Sequence, residues 1–385
     1  MKICLAWHQA WRQYVDEFWA CLALRHTKGL GARTWKRLVG QFGSAAQAVS
    51  AFPQWPHVSK KVCAEFASGR WQSAAEHEAA LAAQHNLSVL PLADPAFPDA
   101  LRHIPDPPLF LYVHGDQSLL HRPCVAMVGS RQSSQYGLHM ADSIATTLSQ
   151  AGICVVSGFA FGIDRAAHWG ALHGVGSTIA VLGTGIDLIY PFSNRDLWMD
   201  IAAKGLIVSE FAPGTKPEGI NFPHRNRIVS GLSLGVLVVE GALKSGSLIT
   251  AELALAQGRD VFALPGPANL KTYQGCHQLI RQGAYLVQDG HDILRELEPR
   301  LRAFARPVLQ AEARNAQDEH EVDDPDQRAV LALLGKQERI HIDEMTRILD
   351  WPAEQVSAAL LFLELQGLVK QLPGMYYARS DGYLT

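Results

Sequence analysis

Two stretches decide the fold. The first is Cys124-Val125-Ala126-Met127-Val128-Gly129-Ser130-Arg131; the second, thirty residues later, is Cys154-Val155-Val156-Ser157-Gly158-Phe159-Ala160-Phe161-Gly162-Ile163-Asp164. Each is a short run that is apolar on both faces of an extended strand. Each feeds a glycine-bearing loop that opens a helical pattern. Strands read this way when helices cover both faces of a parallel sheet.

The same texture repeats outward, in Thr178–Leu182, Leu206–Val208, Gly235–Val239 and Asp260–Leu264. From about Leu109 to Val287 such runs alternate with Gly-rich loops and helical patterns. The alternation predicts a doubly wound parallel α/β sheet. In such sheets ligands sit beyond the carboxyl ends of the strands, near the point where strand order reverses. The loops that follow the runs are therefore the place to look for chemistry.

After Val128, Gly129-Ser130-Arg131 leads through Ser133 and Ser134 to Tyr136-Gly137. Glycine lets an oxyanion approach the backbone, and a helix N-terminus offers free N–H groups and partial positive charge. Arg131 adds a bidentate phosphate ligand. The turn ending in Gly162 is a second such element. There Asp164 reads as a helix N-cap, and His168, with no nucleophile beside it, as a packed histidine. After Leu206–Val208 come Lys216 and then Phe222-Pro223-His224-Arg225-Asn226-Arg227, in which at least one arginine reads as functional. Lys244-Ser245-Gly246-Ser247 is a third anion nest.

These loops are expected to converge, so that Arg131, Lys216, Arg225, Arg227 and Lys244 form one basic patch. Several cradles in a row suit a chain of phosphates, as in a single strand. Tyr136, Phe159, Phe161 and Phe222 are candidates for stacking on bases, with at least half of them expected in the core.

Composition narrows the classes. At 385 residues the chain has room for two or three domains, and its net charge of −3 does not advertise a nucleic-acid binder, so any basic surface has to be local. No long uncharged apolar stretch suggests a membrane span, and residues 1–14 do not read as a signal peptide. The six cysteines are scattered without a C-x-x-C pair and read as reduced, cytoplasmic thiols. The sixteen histidines form no H-E-x-x-H. Neither a metal nor a cofactor is expected.

The chain divides into a helical region (1–100), the α/β domain (101–295), a polar linker (296–325) and a terminal module (326–385). Gly29-Leu30-Gly31 in the first region resembles the second half of a helix-hairpin-helix element. Its amides are able to hold a phosphate, but close packing of two helices is the favoured reading. The terminal module predicts helix, short strand, helix, helix and hairpin, the order of a winged helix. Its recognition helix, Glu354 to Gln366, carries no Lys or Arg. Duplex binding through that helix is not expected, and a protein-contact or regulatory role is.

Gly-Ser-Arg at 129–131, Ser-Gly-x-Ala-x-Gly-Ile-Asp at 157–164, Phe-Pro-x-Arg-Asn-Arg at 222–227, Ser-Gly-Ser-Leu-x-Thr-Ala at 245–251 and Leu-Pro-Gly at 264–266 are similar to the DNA-processing protein A family. The resemblance implies an extended Rossmann-type domain that binds single-stranded DNA, commonly as a homodimer. It also implies loading of the recombinase RecA during natural transformation, without catalysis. It places Arg131 and the stretch Phe222 to Arg227 at the DNA. The competing reading is a nucleotide-phosphate hydrolase on a related fold, which would carry P-G-G-x-G-T-x-x-E; that motif is absent, although Thr250 and Glu252 stand near its place. A dinucleotide site lacks its G-x-G-x-x-G, and no P-loop occurs.

Overall fold

The computed structural model describes residues 17–302, 304, 324–334, 339–365 and 368–379. In the first unit the apolar runs become strands: β1 (Ser88–Pro91), β2 (Phe110–Gly115), β3 (Cys124–Gly129), β4 (Cys154–Ser157), β5 (Thr178–Val181), β6 (Leu206–Ser209), β7 (Gly235–Glu240), β8 (Asp260–Ala263) and β9 (Tyr285–Leu286). They form one sheet of order β1-β2-β6-β5-β4-β3-β7-β8-β9. From β6 to β9 every neighbour is parallel; β2 pairs antiparallel with both β1 and β6. The order turns back between β3 and β7, which makes that junction the switch point.

Side chains alternate across this sheet, and both faces are covered. Cys124, Ala126 and Val128 of β3 enter one apolar cluster, Val125 and Met127 the other. Val236 and Val238 of β7 join the first, Leu237 and Val239 the second. The helices of this unit are α1 (17–26), α2 (Ala32–Phe42), α3 (Ala45–Ser50), α4 (Lys60–Ala67), α5 (Gln72–Gln84), α6 (Asp99–Arg102), α7 (Gln135–Gln150), α8 (Ile163–Ala171), α9 (Arg195–Lys204), α10 (Asn221–Gly231), α11 (Gly246–Ala256), α12 (Gln274–Arg281) and α13 (290–302). Helices α7, α8 and α13 close one face, through residues such as Ile144, Ala167 and Leu297. Helices α9 to α12, with the N-terminal helices, close the other through Ile201, Val229, Ala254 and Cys276.

The fold class is the predicted one: a helical N-terminal region, a doubly wound α/β domain and a winged helix. Three strands escape the sequence reading. β1 lies inside the span read as wholly helical, β2 follows Pro107-Pro108, and β9 has two residues. The boundary at residue 100 therefore cuts through sheet territory, and residues 17–304 form one compact unit.

Carboxylates tie the N-terminal helices together and to the sheet. Glu17 accepts from the first free amides of α3, Ala45 and Ala46, at 2.8 Å each. Glu78 on α5 is buried; it accepts from the Tyr112 hydroxyl of β2 at 2.7 Å and pairs with His26 at 2.7 Å and Arg25 at 3.1 Å. Burial pushes its pKa up, but the His26 bond, the Arg25 charge and the Tyr112 hydroxyl outweigh that, so the carboxyl sits below its ordinary value.

The second unit follows the winged-helix order in α14 (Pro325–Leu334), β10 (Ile340–His341), α15 (Ile342–Leu349), α16 (Ala353–Leu365), β11 (Val369–Leu372) and β12 (Tyr376–Arg379). Its own core gathers Val330, Ile340, Met345, Leu360, Leu363 and Tyr377. The outer face of α16 carries exposed Leu361 and Phe362 where a duplex reader would carry cations.

A carboxylate with a depressed folded pKa stabilises the fold above its unfolded pKa and loses that contribution as pH falls through the folded value. Urea unfolding followed by circular dichroism from pH 7 to pH 3 is expected to show an acid limb for the parent chain. In Glu78→Gln that limb flattens, and stability at pH 7 drops by roughly 1–3 kcal/mol.

Candidate nucleic-acid interface

The loops beyond β3, β4, β5, β6 and β7 surround a cleft of about 760 Å³ at the switch point. Its walls include Gly129, Ser130, Arg131, Gly158, Asp164, Tyr190, Phe222, Arg225, Asn226, Ser245, Gly246 and Ser247. Helix α10 supplies one wall by its periodicity. Phe222, Arg225, Asn226 and Val229 follow i, i+3, i+4, i+7 and share the cleft face, whereas Arg227 points the other way.

The β3–α7 loop is held in shape by its serines. Ser130 N donates to Glu240 O at 2.7 Å, and Ser130 Oγ bonds the Gln132 carbonyl at 2.9 Å. Ser134 caps α7 by accepting from Gly137 N at 3.0 Å, and it donates to the buried Glu240 carboxylate at 2.8 Å. Arg131, between them, is exposed and makes no ion pair among the described residues. Its guanidinium lies over the Phe222 ring at 5.1 Å, and that ring lies 6.0 Å from Tyr190. A flat cation and two rings thus line one side of the cleft and a narrow side pocket that Phe161 also borders.

Beneath them lies a buried polar layer. Arg225 Nη1 donates to the Gly158 carbonyl at 2.7 Å and also to that of Val181, joining the ends of β4 and β5. Burial lowers its pKa to about 10, against the attraction of Asp164. Asp164 accepts from Gly158 N at 3.1 Å and Ala160 N at 3.3 Å. Burial raises its pKa, against the charge of Arg225 and these amides. Asp164 is therefore not the N-cap of α8. That place belongs to Gly162, at φ +73°, and a Cβ there would strike the carbonyl of Ser130. A Cβ on Gly158 would meet Arg225 Cζ and Asp164 Oδ2, each at 2.7 Å. Arg225 and Asp164 need that gap.

Several expected residues stand elsewhere. Arg227 is buried and bound to Glu210 at 2.5 and 2.7 Å, with Asp106 at 3.4 Å; its charge is neutralised on the far side of α10. Lys216 and Lys244 are exposed but lie outside the cleft walls, because their neighbours Pro217 and Ser245 turn inward instead. Tyr136 bonds the Pro265 carbonyl at 3.3 Å and lines a separate hollow with Pro265–Pro267. Phe159 is core, at 0% exposure. His168 is buried as expected. Thr178 Oγ1 donates to Val155 O, so His168 Nδ1 is the donor to Thr178 Oγ1 at 2.6 Å. Burial takes its pKa to about 3. Tyr190, on the cleft wall beside Phe222, was not among the stacking candidates. Its signal was its place directly before a proline, in the loop after β5.

Residues 88–298 match the family model described as DNA recombination-mediator protein A, residues 16–79 a DprA-like N-terminal HHH domain, and residues 311–375 a DprA winged helix domain. The chain belongs to the DNA recombination-mediator protein A family. It is 37% identical to protein Smf of Synechocystis over 93% of this chain and 98% of that one. It is 45% identical to DNA processing protein DprA of Streptococcus pneumoniae over 54% of this chain and 73% of that one. The X-ray structure of the Streptococcus pneumoniae protein superposes with a TM-score of 0.61 at 36% identity, covering 71% of this chain and 95% of that chain. A structure of DNA processing protein A from Helicobacter pylori, described for its unique single-stranded DNA binding mode, superposes with a TM-score of 0.50 at 33% identity over 55% of this chain and 96% of that chain. This chain is thus a DNA-processing protein by family.

The two kinds of arginine are expected to separate in one experiment. Arg227→Ala strands Glu210 in the interior and lowers unfolding free energy by about 3–5 kcal/mol. Arg131→Ala, at an exposed position, changes it by no more than about 0.5 kcal/mol. Thermal and urea unfolding of both variants check this.

Proposed function

We propose that the switch-point cleft binds single-stranded DNA. The observation that carries this is the exposed Arg131 stacked on Phe222, with Tyr190 next to it, above loops rich in backbone amides. A cation of this geometry pairs with phosphate, and neighbouring rings take unpaired bases without regard to sequence. Gly129, Ser130, Ser245, Gly246 and Asn226 supply the polar wall along which a backbone lies, and Gly246 is open to an approaching chain. Lys216 and Lys244, on the outer loops, extend the positive field. Arg225 serves as the floor and Arg227 as a structural pin. The DNA-binding mode described for the Helicobacter pylori relative supports this reading.

In this reading the protein is a cytoplasmic recombination mediator and not an enzyme. It delivers incoming single strands to the RecA recombinase during natural transformation, acting as a homodimer. The family description supports mediation of recombination. The winged helix serves as a protein contact, because its recognition helix shows apolar Leu361 and Phe362 and no cation. The hydrolase alternative finds little in the cleft: Glu252 is exposed and off its walls, and Asp164 is committed to loop amides.

Anisotropy of a labelled oligo-dT against salt tests the cleft. Arg131→Ala is expected to flatten the log–log slope by about 0.7, one phosphate on a single strand. Phe222→Ala is expected to weaken binding by about 1–3 kcal/mol with little change of slope. Absence of single-strand binding at low salt, together with release of free base from a nucleoside monophosphate, would replace this reading with the hydrolase.

A further inference from the structure

The most basic part of the chain is not the cleft. Residues 17–70 hold eight Lys and Arg against two Glu, a surplus of six positive charges in a chain whose net charge is −3. Three of the eight are used internally. Arg25 pairs with Glu78, Lys36 donates to the carbonyls of His103 and Ile104, and Arg70 binds Glu65. The other five, Lys28, Arg33, Arg37, Lys60 and Lys61, are exposed, and none has an ion pair among the described residues.

These five gather around one hairpin. Lys28 begins the turn between α1 and α2, and Arg33 and Arg37 stand one helical turn apart on α2, opposite its buried Leu38 and Val39. Gly29, at φ +92°, lets the turn press against Val62 in the first turns of α4, beside Lys60 and Lys61. Glu65 is held below its ordinary pKa first by its bond to Arg70, and then by the charges of Arg70, Lys28 and Lys61, so both lysines lie within electrostatic reach of its carboxylate. The glycines of the hairpin thus do two things. Gly29 permits close packing, and Gly31 leaves open space, with no atom within 4 Å of where a Cβ would stand.

We propose that this face is a second nucleic-acid surface, which binds the phosphate backbone of duplex DNA without reading sequence. Charge complementarity selects a polyanion, since five exposed cations around one hairpin, none of them in an ion pair among the described residues, are the footprint of backbone contact. The absence of rings selects the duplex. No large hydrophobic side chain among the described residues of 17–87 is exposed, so the face offers no platform for unpaired bases, in contrast to the cleft with its Phe161 and Tyr190. The recognition helix of the winged helix, Ala353–Leu365, carries no cation for this task. The chain would then hold a single strand and an adjacent duplex at separate places, as a molecule acting at single-strand–duplex junctions needs. The proposal stands on the charge of the helical region and does not require the cleft to bind single strands.

The test uses the full chain with a labelled 20-base-pair duplex and a labelled oligo-dT, in anisotropy titrations over a salt series. The parent is set beside K28Q/R33Q/K60Q/K61Q, the milder K60Q/K61Q, and R131A. The expected result is that the fourfold variant binds the duplex at least about tenfold more weakly at low salt, with a slope flatter by about 0.9 per lost phosphate. The double variant falls between. Oligo-dT affinity stays within about twofold in both, which also reports that they are folded. R131A shows the reverse pattern. Unchanged duplex affinity and slope in the fourfold variant would overturn the proposal. So would equal losses on duplex and oligo-dT, which would make the face a single-strand arm, or duplex binding abolished by R131A, which would put the duplex in the cleft. If the parent binds no oligo-dT yet the duplex loss is seen, the cleft reading fails and this one holds.

Discussion

The geometry of the cleft rests on one buried arrangement: Arg225 below the loops, joined to the carbonyls of Gly158 and Val181, with Asp164 holding the amides of Gly158 and Ala160. Taking a guanidinium and a carboxylate out of water is expensive unless their donors and acceptors are met. Here they are met by the backbone of the very loops that shape the site. The cost of burial is offset only if the ends of β4 and β5 keep their relative position, so the same contacts that stabilise the charges fix the loops. Gly158 is the condition for it, since any side chain there would occupy the space between the two groups.

This arrangement divides the arginines into two classes that look alike in the sequence. Arg225 and Arg227 stand two positions apart on α10, which turns them to different sides of the helix. One faces the cleft floor and the other faces Glu210 and Asp106. Among the described residues Arg131 has no ion-pair partner, and it rests against a ring instead. Its charge therefore remains available, and a flat cation already aligned on an aromatic loses little freedom when a phosphate arrives.

Much of this was legible in the order of residues. Six of the nine sheet strands fall within a residue or so of the apolar runs, because a strand buried on both faces must be apolar throughout. Every element of the winged helix is where its periodicity put it. The edge was harder to see. β2 pairs antiparallel beside a proline pair, β1 follows directly on the helical pattern of α5, and β9 is too short to carry a pattern. In the site, the loops carrying Gly129, Arg131, Phe222 and Ser245 do meet. What a linear reading could not supply was direction. Lys216 and Lys244 belong to the right loops but leave the walls, and Tyr136 opens α7 yet turns toward Pro265. Asp164 looked like a cap because it follows a glycine turn, but the positive φ needed at Gly162 started the helix earlier.

Net charge was the least informative quantity and its distribution the most. A chain at −3 conceals a stretch, residues 17–70, with six surplus positive charges, so the remainder carries a net charge of −9. Within that remainder a cationic cleft survives because its neighbours spend their carboxylates inward: Asp164 on loop amides, Glu240 on Ser134, Glu210 on Arg227. Asp164, on the cleft wall, would otherwise project negative charge toward the cleft mouth and repel a phosphate chain. Committing it to backbone amides removes that field at its source. It also explains how a single exposed guanidinium is enough to set the sign of the site.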